Sequence, residues 1–363
     1  MLDELRALVE HESPSGDEGR LNKLAQTLAV RLESLGARSV LHRTAGTGTH
    51  IEARFDAAGG HQRPILILGH MDTVHPVGML ERNPFRIEQC SALGPGSQDM
   101  KGGIVVVMHA MQALMELGLR TRKPIAALFT CDEETGSHSS RPLIERLAAE
   151  SEIVLVPEPA GPGGAVKTAR KGFGHYELAF AGRAAHAGLD FESGISAILE
   201  FAGVVLELHK LCDLLRGTTV NVGRMEGGTV ANVVAEFARA DVDVRFFDPG
   251  EGSRVDAAIR RLKGAYGARI TVSGGINRPP LERTPEVVAL FERARSIARD
   301  LGFELDECAV GGASDGNLTS ALGVPTLDGL GAVGSGLHTA RERIDIDELP
   351  LRAALLAGLL LTL

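Results

Sequence analysis

Three apolar runs without alternation, Ile65-Leu66-Ile67-Leu68, Ile125 to Thr130 and Ile153-Val154-Leu155-Val156, constrain this chain more than any other feature. Strands of that kind are buried on both faces, which requires cover above and below the sheet. Helical stretches at Ile104 to Leu117 and Leu143 to Glu150 separate them and supply the cover. The expected fold class is therefore α/β, a mostly parallel sheet with helices on both faces. Right-handed crossovers in such a sheet place ligands at the carboxyl ends of the strands.

A second rhythm begins near Gly172: strand (His175 to Ala181), helix (Ile195 to Leu211), strand (Thr218 to Arg224), strand (Ala238 to Phe246), helix (Val255 to Lys263), strand (Ala268 to Val272). The order β-α-β-β-α-β is a ferredoxin-like unit. After Arg278-Pro279-Pro280 a helix resumes at Pro285 to Leu301, so the unit reads as an insertion at 172–280 into a discontinuous domain of 1–171 and 281–363. Two domains also suit 363 residues, too many for one core of ordinary size. Near the N-terminus, Ser13-Pro14-Ser15-Gly16-Asp17-Glu18 precedes an apolar pattern from Leu21 to Leu35 closed by Gly36, the signature of a capped helix.

The remaining bulk features narrow the partners. A net charge of -9 with no dense Lys/Arg run disfavours nucleic acid. Leu351 to Leu363 is strongly apolar, yet too short for a membrane span and interrupted by Arg352, so a buried terminal helix is expected and no membrane partner. No basic stretch followed by an apolar one opens the chain, and a cytoplasmic location is the expectation. Cys90, Cys131, Cys212 and Cys308 lack the spacings of zinc knuckles or redox pairs. Acidic neighbours would raise the Cys131 thiol's pKa and blunt it as a nucleophile.

Acidic and imidazole clusters sit where the strands run out: Gly69-His70-Met71-Asp72, Gln98-Asp99-Met100-Lys101-Gly102-Gly103, Asp132-Glu133-Glu134-Thr135-Gly136 and Pro157-Glu158-Pro159, with His338 far downstream. A His two residues before an Asp on a strand shares its face, so Asp72 can support His70. Asp99 lies among Gly94, Gly96, Gly102 and Gly103, where a helix N-cap is the plainer reading. Glu133 and Glu134, adjacent after a strand, are expected to point opposite ways, one toward metal and one toward water. Together His70, Asp99, Glu134, Glu158 and His338 form a mixed nitrogen and oxygen set suited to zinc and tolerant of cobalt or manganese.

Gly-His-Met-Asp-Thr-Val at 69–74, Asp-Met-Lys-Gly-Gly at 99–103, Asp-Glu-Glu-Thr-Gly at 132–136 and Ala-Ala-His-Ala-Gly at 184–188 resemble the co-catalytic zinc family of glutamate carboxypeptidase, aminoacylase, acetylornithine deacetylase and succinyl-diaminopimelate desuccinylase. The likeness is nearest to glutamate carboxypeptidase-like members and runs over nearly the whole chain. It implies two zinc ions per subunit, one held by His70 and Glu158, the other by Glu134 and His338, with Asp99 bridging. Glu133 would be the general base, Asp72 the support of His70, and His186 an oxyanion donor reaching the neighbouring subunit. The insertion would then be a lid and dimerisation domain of a homodimer, and the substrate a small peptide or N-acyl amino acid with a free carboxylate.

A carboxylate on the substrate calls for arginine. Arg245 and Arg278 match the family's anion-binding positions and Asn232 a polar contact, while a salt bridge is the plain alternative for either arginine. The Gly311 to Gly316 loop is expected to line the pocket, and Lys167, Arg170 and Lys171 could meet an acidic side chain. Deacylation of N-acyl amino acids is the rival within the class. From another class, Gly329, Gly331 and Gly334 spell a dinucleotide-binding G-x-G-x-x-G of an oxidoreductase, though no helix pattern follows it.

Overall fold

The computed structural model describes residues 1–58 and 62–363. The chain divides into two compact units, one of Met1–Ala169, Leu281–Val310 and Ser314–Leu363, the other of Arg170–Pro280 with Gly311–Ala313. The second unit begins at Arg170, whose guanidinium donates to the Gly312 carbonyl at 3.1 Å.

The first unit is built on a six-stranded sheet. In spatial order its strands are Arg38–Thr44, Gly48–Phe55, Ile125–Thr130, Ile65–His70, Ile153–Leu155 and Thr326–Leu327. The last four run parallel, while Arg38–Thr44 and Gly48–Phe55 form a hairpin that joins antiparallel to Ile125–Thr130. Alternate residues of the central strand go to different cores. Ile65 and Ile67 pack with the helices Glu18–Ser34, Gly102–Glu116 and Glu348–Thr362, whereas Leu66 and Leu68 pack with Arg141–Glu150. That two-sided burial is why the run shows no polar alternation.

The terminal helix Glu348–Thr362 buries Leu349, Leu355, Leu356, Leu359 and Leu360, so its apolar character is spent inside the unit. No helix among the described residues is long and apolar enough to cross a membrane. Arg352, 1% exposed, donates to the carbonyls of Gly164, Leu330 and Gly331, and to that of Gly329, which holds the Gly329–Gly331 turn in place.

The second unit is a four-stranded antiparallel sheet in the order Thr219–Gly227, Phe237–Phe246, Gly172–Ala181, Arg269–Arg278. With the helices Ala197–His209 and Pro249–Arg260 it is the ferredoxin-like arrangement. Strand Gly172–Ala181 alternates strictly, burying Tyr176, Leu178 and Phe180 against Phe201, Val204 and Ile259 while the other face stays outside. Phe180 meets Phe201 edge-on, ring centres 5.5 Å apart.

Candidate metal centre

Three of the five expected ligands owe their meeting to the parallel sheet. His70 pairs with Thr130 in register, so the loops that follow, Met71–Asp72 and Cys131–Glu134, start at the same level on one sheet edge. Strand Ile153–Leu155 runs beside them and delivers Pro157-Glu158 to the same edge. The approach of that last segment is tight. A Cβ on Gly103 or on Gly331 would overlap the Pro157 carbonyl oxygen, so neither position accepts a side chain without moving the backbone next to Glu158.

His70, 1% exposed, sits at the centre. Its Nε2 is 3.2 Å from Asp99 Oδ1 and 3.2 Å from Glu158 Oε1. On the far side of Asp99, Oδ2 is 3.1 Å from His338 Nε2, which is 3.6 Å from Glu134 Oε2. Asp99 therefore stands between a His70/Glu158 pair and a His338/Glu134 pair. It does not cap the following helix Gly102–Glu116, whose N-cap position is Lys101, with no side-chain cap bond. His338 adopts φ +59°, a left-handed conformation unfavourable for any residue but glycine, and the turn holds it there.

Electrostatics mark the cluster as a place for positive charge. Burial opposes a charge on His70, yet hydrogen bonds with Asp72, Asp99 and Glu158 outweigh it and hold the imidazole well above its usual value. The Asp99 bond likewise raises His338 to about 9, against burial. Glu134 is raised as well, which for a carboxylate favours the neutral form, chiefly by burial and further by Asp99 and Asp72. Its Oε1 is buried and has no hydrogen-bond partner, an orphaned acceptor. Donor atoms of His70, Asp99 and Glu134 all lie within 4.8 Å of one another. Nitrogen and oxygen donors with excess negative charge and an unspent lone pair fit a divalent ion.

Asp72 does more than sequence spacing suggests. Its backbone carbonyl, 3.0 Å from His70 Nδ1, is nearer to the ring than its carboxylate at 3.5 Å. The carboxylate is fully buried and accepts from Ser15 Oγ at 2.7 Å and from the backbone N–H groups of Glu133 and Glu134 at 3.2 Å each. Glu133 and Glu134 lie in a short 3-10 turn, Glu133–Thr135, rather than at a strand end. Successive residues of such a turn are about a third of a turn apart, so strand alternation does not apply to this pair.

The loop is held from behind as well. Asp132 Oδ2 accepts from Ser139 N at 2.7 Å and Ser139 Oγ at 2.8 Å, and Ser139 Oγ contacts His50 Nε2 at 3.0 Å. His50 Nδ1 accepts from the Cys131 amide at 3.2 Å. Burial, then Asp132 and Asp72, push the Cys131 thiol far up, in keeping with its expected inertness. Lys101 is buried with Nζ donating to the His11 carbonyl at 2.9 Å, and burial lowers it to about 7. Sequence reasoning named Ser15 only within a helix-capping run and Asp132 only within the acidic cluster, and passed over Glu342. Glu342, 0% exposed, collects the amides of the Asp99 loop, and its spacing of four from His338 is the one signal it leaves.

The other expected residues lie in the second unit. His186 is exposed, and its Nδ1 accepts from the N–H groups of Gly188 and Leu189, both at 3.1 Å. That assignment leaves Nε2 as a donor. Asn232 lies beside it through the Ala187 N–H to Asn232 carbonyl bond at 2.9 Å. Arg245 forms a two-pronged pair with Asp243 at 2.9 Å and stacks over Phe173, so the plain salt-bridge reading describes it as it stands. Arg278 is 4% exposed and donates to Asn277 Oδ1 at 3.2 Å. Gly329, Gly331 and Gly334 open no helix: Gly334–Ser335 is a short strand leading to the His338 turn, and the Gly331 amide bonds the Glu158 carbonyl at 2.9 Å.

Residues 66–362 match peptidase family M20/M25/M40. Over its whole length the chain is 30% identical to carboxypeptidase G2 of Pseudomonas sp. strain RS-16, covering 89% of that protein. Among solved structures it resembles aminopeptidase PepT of Bacillus cereus, TM-score 0.79 at 23% identity, covering 99% of this chain and 96% of that one. A family M20 metallo-carboxypeptidase of Sulfolobus solfataricus gives a TM-score of 0.76 at 20% identity, covering 99% and 98%. The chain belongs to peptidase family M20/M25/M40 and is a metallohydrolase.

Proposed function

We propose that the protein is a di-zinc carboxypeptidase that cleaves the amide bond preceding a free C-terminal carboxylate in a small peptide. One observation carries the reading: Asp99 stands between a His70/Glu158 pair and a His338/Glu134 pair, the disposition expected of a bridging carboxylate. His70 and Glu158 would hold one ion, His338 and Glu134 the other, with Co2+ or Mn2+ as workable substitutes. When bound, such ions polarise the scissile carbonyl and make a water acidic enough to react near neutral pH.

The remaining work falls to the chain's own groups. Glu133, oriented through its backbone by Asp72, takes a proton from the attacking water and returns it to the leaving amine. His186 donates from Nε2 to the oxyanion, supplied by the partner subunit of a homodimer. Arg278, Arg245 and Asn232 bind the substrate's carboxylate and backbone, with Arg245 exchanging Asp243 for substrate. Dimerisation through the inserted unit is supported by its edge strand Thr219–Gly227 and by helix Ala197–His209, which expose Met225 (56%), Leu199 (49%) and Leu206 (67%). All four cysteines are thiols rather than disulfides, which supports a cytoplasmic location.

Likeness to carboxypeptidase G2 favours substrates ending in a free carboxylate. A screen of zinc-loaded protein against peptides, their C-terminal amides and simple N-acetyl amino acids tests this. Turnover of the free acids with silence on the amides is expected. Hydrolysis confined to N-acetyl amino acids would replace carboxypeptidase by deacylase, and Glu133→Gln at wild-type rate would remove the mechanism.

A further inference from the structure

Glu342 is a carboxylate with no exposure to solvent, and none of the proposed steps uses it. Burying such a charge is costly unless each oxygen is satisfied. Here Oε1 accepts from the amides of Gln98 at 2.8 Å and Asp99 at 2.9 Å, and Oε2 from the amide of Gly96 at 2.9 Å. His75 Nε2 is 2.7 Å from Oε2, within hydrogen-bond distance. The three amides belong to one loop, and the last of them is that of Asp99 itself.

The other side of Glu342 leads to His338. The turn between them is closed by Thr339 N–H to Gly336 O at 3.1 Å and Glu342 N–H to Thr339 O at 3.2 Å. Strand Arg343–Asp345 then pairs with Ser91–Leu93, and the Glu342 carbonyl accepts from Gly94 N at 3.2 Å. One residue thus fixes the Asp99 loop through its carboxylate and the His338 turn through its backbone. The two side chains so held meet at 3.1 Å.

We propose that Glu342 is a positioning residue that sets the relation of Asp99 to His338 and thereby the affinity of the centre for its metal. The proposal rests on the metal-dependent reading of the site. Partners behind metal ligands typically govern affinity or activity by roughly 10–100-fold, without touching the substrate. A merely structural carboxylate would cost stability and leave affinity alone. Glu200 is the natural comparison: also buried, it accepts the amides of Ala265, Tyr266 and Ala268 in the second unit.

The test measures zinc affinity by competition with a chromophoric chelator, alongside kcat, KM and melting of the metal-stripped protein, for wild type, Glu342→Ala, Glu342→Gln and Glu200→Gln. Glu342→Ala is expected to bind zinc roughly 10–100-fold more weakly, with kcat reduced and KM within about twofold. Glu342→Gln should lose less than Glu342→Ala, since its amide oxygen can keep the Gln98 and Asp99 N–H groups, while its NH2 gives up the Gly96 N–H and faces His75. Glu200→Gln should melt lower yet bind zinc as wild type does. If Glu342→Ala does not fold, Glu342→Gln decides alone, and wild-type affinity in it overturns the proposal. Wild-type protein that takes up no metal would defeat the hydrolase reading and this proposal with it, whereas normal wild-type uptake with unchanged variants defeats this proposal only.

Discussion

Replacing Asp72 by Asn keeps the shape of a fully buried side chain and removes one acceptor, which makes the consequence calculable. The carboxylate receives Ser15 Oγ and Glu134 N on Oδ2 and Glu133 N on Oδ1. A hydroxyl can turn and accept, but a backbone N–H cannot. The Asn amide nitrogen therefore takes the Oδ2 place, with Ser15 accommodating it, and the Glu134 N–H is left facing a donor. A buried N–H without a partner costs about 1–3 kcal/mol, which at about 1.4 kcal/mol per decade is roughly 5–150-fold. Because the strain falls on Glu134, the loss is expected first in metal affinity. Excess metal should restore part of the rate. The assay is steady-state hydrolysis across a series of buffered free zinc concentrations. A Glu134-centred loss shifts the zinc dependence of Asp72→Asn to higher concentration by about that factor. A curve superimposed on wild type, with unchanged kcat, would show that Asp72 does not hold Glu134 for the metal.

Gly103→Ala places a Cβ on the Pro157 carbonyl oxygen, so the helix start or the Glu158 segment must shift. Overpacking of this kind costs about 1–3 kcal/mol, a fall of several degrees in melting temperature, and calorimetry should find it together with reduced turnover. Glu4 is held down at about 2: burial would raise it, but His109 at 2.8 Å and Arg31 at 2.7 Å outweigh that. A depressed carboxylate stabilises above its ordinary value and loses that contribution as the pH falls toward the folded one. The melting-temperature gap between wild type and Glu4→Gln should therefore be constant above about pH 4.5 and close below it, toward pH 2. A gap that widened on acidification would contradict the sign.

The parallel part of the first unit was readable because its strands are buried on both faces and nothing polar interrupts them. Strand Gly48–Phe55 is just as buried but carries His50, Glu52 and Arg54. Glu52 stays inside by pairing with Arg54, Arg146 and His42 at 2.8, 2.6 and 3.0 Å, of which the Arg146 and His42 pairings are arrangements that no local pattern encodes. The hairpin it makes with Arg38–Thr44 was accordingly missed. Metal-ligand candidates stood out because acidic residues at the ends of apolar runs have no packing reason to be there. What holds those candidates did not. Asp72 grips the loop at Glu133 and Glu134 across about 60 residues of chain and Glu342 grips Asp99 across more than 240, contacts that exist only once the sheet has assembled.

Metal content measured beside activity on the same preparation decides whether catalysis depends on a pair of bound ions. Purified, active protein should carry two divalent ions per chain, lose turnover in step with their removal by chelator, and regain it on zinc addition. Full turnover from protein shown by elemental analysis to hold no transition metal, undiminished in excess chelator, would contradict the account.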